Sequence, residues 1–311
     1  MQLHFTNFEI FASVLNGYDL DLKQIDRGVF SGSLQQIECS PVLINRISST
    51  RRFEVQGSSP VGLLTFGIPT SNCLPFTWRN KISTANTIQI YKSNTELEMI
   101  THPFFEAIDI SITEDTFNEL NQQWGFPTLN KIIGTSEMLI CNPEIMQQLR
   151  NTLQTICNTV DSKPDLLKQS TGLQNLIKYE VPYLLVQTLM TAKTQEIKTT
   201  PSIRNNALKT AIDYIQATPP DKLSLNQFCS DNDINARTLQ RAFLEQFGIS
   251  PKSYAKAHQL SRIYKTLSHN HSETTRVYDI ARNHGFKHMS QFATDYRRHF
   301  GELPSETLKV G

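Results

Sequence analysis

FATDYRRHFGELP (Phe292 to Pro304) restates, at its key positions, the earlier stretch LQRAFLEQFGISP (Leu239 to Pro251). Leu239 answers to Phe292, Phe243 to Tyr296, Phe247 to Phe300, Gly248 to Gly301 and Pro251 to Pro304, all at an offset of 53. An amphipathic helix repeated with its Gly stop and its following Pro marks a duplicated structural unit. Upstream, Phe228 answers to Ile280 and Cys229 to Ala281 at an offset of 52, so one residue enters the turn of the second copy. Each copy therefore reads as helix, tight turn, helix.

That plan is what a helix-turn-helix requires. In the first copy, Leu225, Phe228 and Cys229 give a short apolar face, a turn runs through Asp231 to Ile234, and Leu239, Ala242, Phe243 and Phe247 follow helical spacing on the buried side of the next helix. Its other side carries Arg237, Thr238, Gln240, Arg241 and Leu244, a set rich in the donors that meet base edges and phosphates. In the second copy Val277, Ile280 and Ala281 precede a turn at Gly285-Phe286, where glycine can take a positive φ. Phe292, Tyr296 and Phe300 then face inward, and His288, Ser290, Gln291, Thr294, Arg297 and Arg298 face out. Pro251 opens a helical run through Tyr254, Ala257, Leu260, Ile263 and Leu267 that holds the copies apart at a fixed distance.

On these residues the chain resembles the AraC/XylS family of bacterial transcription regulators. The second copy carries the family's signature: Ala281, Gly285-Phe286, Phe292, Tyr296-Arg297, Phe300-Gly301 and Pro304. The likeness covers residues 204–309, with Gln259-Leu260 standing where the family usually has Arg-Leu. It implies two helix-turn-helix units joined by a linker helix, with base contacts from Arg237, Gln240 and Arg241 in the first recognition helix and from Met289, Ser290, Gln291 and Thr294 in the second. It also implies activation of transcription, promoter DNA and RNA polymerase as partners, a small-molecule effector, a homodimer, and a first domain built as a cupin-type β-barrel.

Charge divides along the same line. Residues 201–311 hold 15 Lys and Arg against 10 Asp and Glu, whereas residues 1–200 hold 15 against 19. A basic end suits phosphate, and an acidic remainder limits nonspecific adhesion. No apolar stretch approaches the roughly 20 residues that span a bilayer, and MQLHFTNFEIF at the start lacks a basic, then apolar, signal pattern, so a cytoplasmic protein is expected. The five cysteines, Cys39, Cys73, Cys141, Cys157 and Cys229, are scattered without a CxxC pair and read as reduced thiols. His269-Asn270-His271 has no acidic or Cys partner at ligand spacing, and only His4 and His102 precede residue 200, so neither a zinc site nor a metal-binding barrel is expected.

The first 192 residues read as a β-rich sensing and dimerisation domain, residues 193–202 as a polar linker ending in Pro201, and residues 203–311 as the DNA-binding domain, with units at about 224–248 and 275–301. At 311 residues each domain is long enough to bury its own core. Short strands are expected at Val42–Ile47, Phe53–Val55, Val61–Ile68, Thr87–Tyr91 and Phe104–Ile112. Helices follow, one capped by Thr113, one opened by Asn142-Pro143-Glu144 with Ile145, Leu149, Leu153, Ile156 and Val160 on one stripe, and one running from Pro164 to Leu189 across Pro182. The fold class is thus α+β in two domains. Trp78 and Arg79 offer an aromatic wall and a cation for a ligand.

The chain has no GxSxG, GxxxxGK or GxGxxG, so neither an enzyme nor a cofactor is expected. A DNA-repair alkyltransferase would need a clustered set of cysteines. Two rival readings stand beside the regulator: an architectural protein that binds DNA without regard to sequence, and a regulator that senses redox state through Cys141 or Cys157.

Overall fold

The computed structural model describes residues 2–15, 17–192, 202–219, 222–270 and 276–310. Strand β1 (Gln2–Phe5) and helix α1 (Phe8–Ser13) lead into β2 (Asp19–Gln24), β3 (Gly32–Cys39), β4 (Val42–Ser49), β5 (Phe53–Ser58) and β6 (Leu64–Pro69). Strands β7 (Phe76–Trp78), β8 (Lys81–Ser83), β9 (Thr87–Tyr91), β10 (Glu96–Ile100) and β11 (Phe105–Ile112) follow. Two antiparallel sheets result: one of seven strands ordered β1-β3-β4-β11-β6-β9-β12, where β12 is Met138–Ile140, and one ordered β2-β5-β10-β7-β8. The expected strands lie within this set, except that Val61, Gly62 and Leu63 precede β6, with Val61 exposed, and Phe104, at φ 60, is exposed ahead of β11.

Alternation assigns the faces of the larger sheet. Ile44, Phe66, Ile68, Ile88, Ile90, Ile108, Ile110 and Ile112 point to the outer side, where helices cover them. Those helices are α2 (Glu114–Gln123), α3 (Leu129–Ile133), α4 (Pro143–Ser162), α5 (Leu166–Gln169), α6 (Thr171–Asn175) and α7 (Val181–Met190). Thr113 caps α2 and Asn142 caps α4. The stripe Leu149, Leu153, Ile156 and Val160 is buried on the sheet within this chain, with Ile145 half-buried at its edge. Ahead of Pro182 the helix widens into a π turn over Leu176–Glu180. A ring with no N–H to give removes a bond from the ladder, and a wider turn accommodates the loss.

The C-terminal part is helical: α8 (Ser202–Ala217), α9 (Leu225–Asp231), α10 (Ala236–Phe247), α11 (Pro251–Ser268), α12 (Val277–Asn283), α13 (Met289–Phe300) and α14 (Pro304–Val310). The linker expected at 193–202 lies outside the described residues, save Ser202, the first residue of α8. The cores differ from expectation. Leu260, Ile263, Tyr264 and Leu267 of α11, with Tyr296 and Phe300 of α13, share one cluster with Phe8, Phe11, Phe30, Leu34 and Phe53 of the β domain. Phe8 stacks on Tyr264 at 4.2 Å between ring centroids, and Phe300 lies 4.7 Å from Tyr264. Length alone suggested two private cores; this one is common to both parts.

Candidate nucleic-acid interface and barrel cavity

The two helix-turn-helix units are superimposable by sequence offset. Helices α9 and α12 match at 52 and α10 and α13 at 53, so the extra residue falls in the second turn. Asp233 (φ 51) and Gly285 (φ 85) occupy the same left-handed position, which Asp tolerates and Gly favours. The turns close alike, Ile234 N–H donating to Cys229 O at 2.9 Å and Phe286 N–H to Ala281 O at 3.0 Å. Both second helices stop at a left-handed glycine, Gly248 (φ 70) and Gly301 (φ 84), whose N–H returns to Leu244 O and Arg297 O. Their starts differ. Asn235 Oδ1 accepts from Arg237 N–H at 2.8 Å, whereas His288 stands at the same place without a side-chain cap.

Leu239, Ala242, Phe243 and Phe247 of α10 are buried, as are Phe292, Tyr296 and Phe300 of α13. The opposite faces are open: Arg237, Gln240, Arg241 and Leu244 on α10, and Ser290, Gln291, Thr294, Arg297 and Arg298 on α13, with His288 just before it, are exposed. Thr238 is half-buried, and Met289 is half-buried against the second unit's core. Arg241 Nε meets Glu245 Oε1 at 2.8 Å, and Thr294 Oγ1 donates to Ser290 O at 2.9 Å. Arg298 also borders a cleft of about 500 Å³ with Arg27, Lys252, Lys256, Asp26 and Asp295, in which Lys256 Nζ and Asp295 Oδ2 pair at 2.5 Å.

The barrel holds both units from behind. Arg52 donates through Nη1 to Phe247 O at the end of α10, a favourable place for a cation at a helix C-terminus. At the end of α13, Gly28 N–H donates to His299 O at 2.8 Å, and His299 Nε2 donates to Gln24 O at 3.0 Å. Gln24, 1% exposed, gives its amide to Asp26 O, Gly28 O and His299 O. Tyr254 of α11 donates to Glu54 Oε2 at 2.8 Å, and Lys265 Nζ to Asp21 Oδ1 at 2.7 Å. A Cβ on Gly248 would come within 2.0 Å of Arg52 Nη1, and one on Gly301 within 2.3 Å of Val29 Cγ2. Both stop glycines thus lie directly under barrel loops.

Between the two sheets lies a cavity of about 90 Å³. Its wall is mostly aromatic and aliphatic, including Phe11, Phe53, Phe76, Trp78, Tyr91 and Phe105. One polar row crosses the inner face of the large sheet, Asn45, Asp109, Gly67 and Gln89 being successive cross-strand partners. Tyr18 Oη donates to Asp109 Oδ2 at 3.1 Å, and burial pushes the Asp109 carboxyl up to about 7. Trp78 lies on the wall with its ring edge-on to Tyr91, 4.6 Å between centroids. Arg79 lies behind it, over the Trp78 ring at 5.6 Å, and spends its guanidinium on Glu137 and on Glu96 O. Asp109, Tyr18 and Gln89 escaped the sequence reading. A carboxylate at an inward position of the strand FEAIDISI was the available signal.

All five cysteines are free and buried. Burial pushes the Cys73 and Cys141 thiols up to about 12 and Cys157 to about 11, which keeps them protonated and poorly nucleophilic. Among the described residues no three His, Cys, Asp or Glu side chains gather as metal ligands, and no helix is long and apolar enough to cross a membrane.

Residues 229–309 match the family described as a helix-turn-helix domain. A XylDLEGF operon transcriptional activator of Pseudomonas putida is 30% identical over 105 residues, which cover 34% of this chain and 33% of that protein. The match therefore spans about a third of the length of such relatives. Among solved structures, a probable AraC family transcriptional regulator from Rhodopseudomonas palustris is 34% identical, covering 33% of this chain and 94% of that one with a TM-score of 0.30. The AraC-like transcriptional activator CuxR covers 85% of this chain and 95% of its own at 12% identity and a TM-score of 0.43. Over its C-terminal third, which holds the pair of helix-turn-helix units, this chain is similar to transcription regulators of the AraC/XylS type.

Proposed function

We propose that the chain is a sequence-specific, DNA-binding transcriptional activator whose barrel takes a small-molecule effector, with no catalytic role. The observation that carries this reading is the pair of matched helices, α10 and α13, each buried on one face and presenting exposed Arg, Gln, Ser and Thr on the other. Double-stranded DNA is the partner such faces fit. The base and phosphate contacts are assigned to Arg237, Thr238, Gln240, Arg241, His288, Met289, Ser290, Gln291, Thr294, Arg297 and Arg298. Residues 1–192 are the sensing part and residues 203–311 the reading part. RNA polymerase and a second copy of the chain are further partners, and the cytoplasm is where they would meet.

The test is selection of binding sites from random duplex DNA with the full chain, which keeps the shared core intact. Two helix-turn-helix units on one face of the duplex should enrich two short blocks about 10 base pairs apart. Binding that ignores sequence and vanishes as salt rises would replace this reading with the architectural one.

A further inference from the structure

The cavity between the sheets has one carboxyl and no cation. Among the residues that line it there is no Lys, Arg or His, and Asp109 is the one acidic group. Arg79, the nearest candidate for an anion-binding cation, is turned to Glu137 instead. Asn45, directly across the strand pair from Asp109 and 1% exposed, keeps an unpaired Oδ1 just behind the lining, while on the wall itself the Trp78 Nε1 donor is unpaired among the described residues. Lining the same cavity are the rings of Tyr18, Trp78 and Tyr91, whose faces attract cations.

We propose that the barrel binds a small apolar amine, a body of about one ring between Phe11, Phe53, Trp78 and Tyr91 with its ammonium on Asp109. This rests on the reading that the barrel takes an effector and names the chemistry of that effector. A carboxylate in the same place would stand against Asp109 without any compensating cation, and burial of unpaired charge is strongly disfavoured. An alcohol would fill the same space with a neutral donor and forgo the charge-assisted bond, which is about twice as strong. Where burial keeps the carboxyl protonated, it releases that proton to solvent as the ammonium arrives, and the buried pair is left with no net charge.

The experiment is titration calorimetry on the full chain, slightly above neutral pH, with benzylamine, benzyl alcohol and phenylacetate. Benzylamine should bind about tenfold or more tighter than benzyl alcohol, the ratio expected of one charge-assisted bond, and phenylacetate should not bind. Asp109→Asn should erase the advantage of the amine over the alcohol. Ala107→Leu, which fills the cavity and leaves Asp109 in place, should abolish binding of both, and serves alone if the Asp109 variant does not fold. Phenylacetate binding as tightly as benzylamine, an amine preference that survives Asp109→Asn, binding untouched by Ala107→Leu, or no binding by any of the three overturns the proposal. Site selection on DNA without amine fails or succeeds independently, so the two readings are judged apart.

Discussion

Arg241 illustrates how much one side chain's neighbours matter. It is exposed on the reading face of α10 and is held by Glu245 one turn on, so a base contact requires it to exchange one carboxylate for a base edge. Arg241→Ala should cost about 1–3 kcal/mol of DNA affinity and relax preference at one base position. An equal loss on every sequence would identify a phosphate contact instead. His299 shows a different dependence. Burial pulls its imidazole down to about 4, against the upward pull of its bond to Gln24 O, whereas in the unfolded chain it titrates near 6.5. The folded state therefore binds fewer protons in that window, and stability present above it is lost as the pH falls from 6.5 to 4. Asp109, raised to about 7, acts with the opposite sign, since its folded carboxyl takes up the proton first. The informative quantity is thus a difference: from pH 6.5 to 4, urea unfolding should show the wild type losing up to about 3 kcal/mol more than His299→Gln. Equal losses would place His299 outside the acid response. Sequence named Arg241 because an exposed helix face has a readable period. It passed over Asp109 because a charge on a strand declares its direction only once the register is known.

At the scale of elements, matched helices with unmatched starts provide an internal comparison. Asn235 caps α10 and His288 leaves α13 uncapped, although both residues have extended backbone angles. Asn235→Ala should lower stability by about 1 kcal/mol, and His288→Asn should raise it by a similar amount, both measured by thermal melting. A null effect of the second change would mean that the first turn of α13 is satisfied by other donors' partners. The helices of the repeat were legible because Gly stops, Pro starts and apolar spacing are all local. The strands were legible where β-branched residues run together, as in Thr87–Tyr91. They were missed where polar residues break the pattern, as in β3, whose outward Ser33 and Gln35 and inward Gln36 disguise the alternation. Gln35 is accommodated by a bond to Cys157 O on α4, a partner 122 residues away that no local pattern announces.

For the whole molecule, Phe243 and Phe300 occupy matching places in the repeat and different places in the architecture. Phe243 packs on the rings of Phe247 and Tyr254 in a cluster to which the β domain adds only Ile25 and Ile100, while Phe300 meets the ring of Phe8 in the cluster shared with Phe11, Phe30, Leu34 and Phe53. Truncation of either to Ala should cost about 3–5 kcal/mol. Only Phe300→Ala should also make the barrel and the helices unfold in separate steps, read by protease cleavage along a denaturant series; a single joint transition would show that the remaining seam suffices. The repeat could not foretell this, because both copies obey the same rule and only the partner distinguishes them. The seam also bears on inheritance. Gly248 and Gly301 end the reading helices and at the same time receive Arg52 and the Val29 loop. Recombination that joined residues 203–311 to a different barrel would leave those two receptors facing loops of the wrong shape. Exchange between relatives must therefore carry Gly28–Phe30 and Arg51–Arg52 along with the reading helices, and a selection for altered promoter control with unchanged DNA affinity should return substitutions in those two loops.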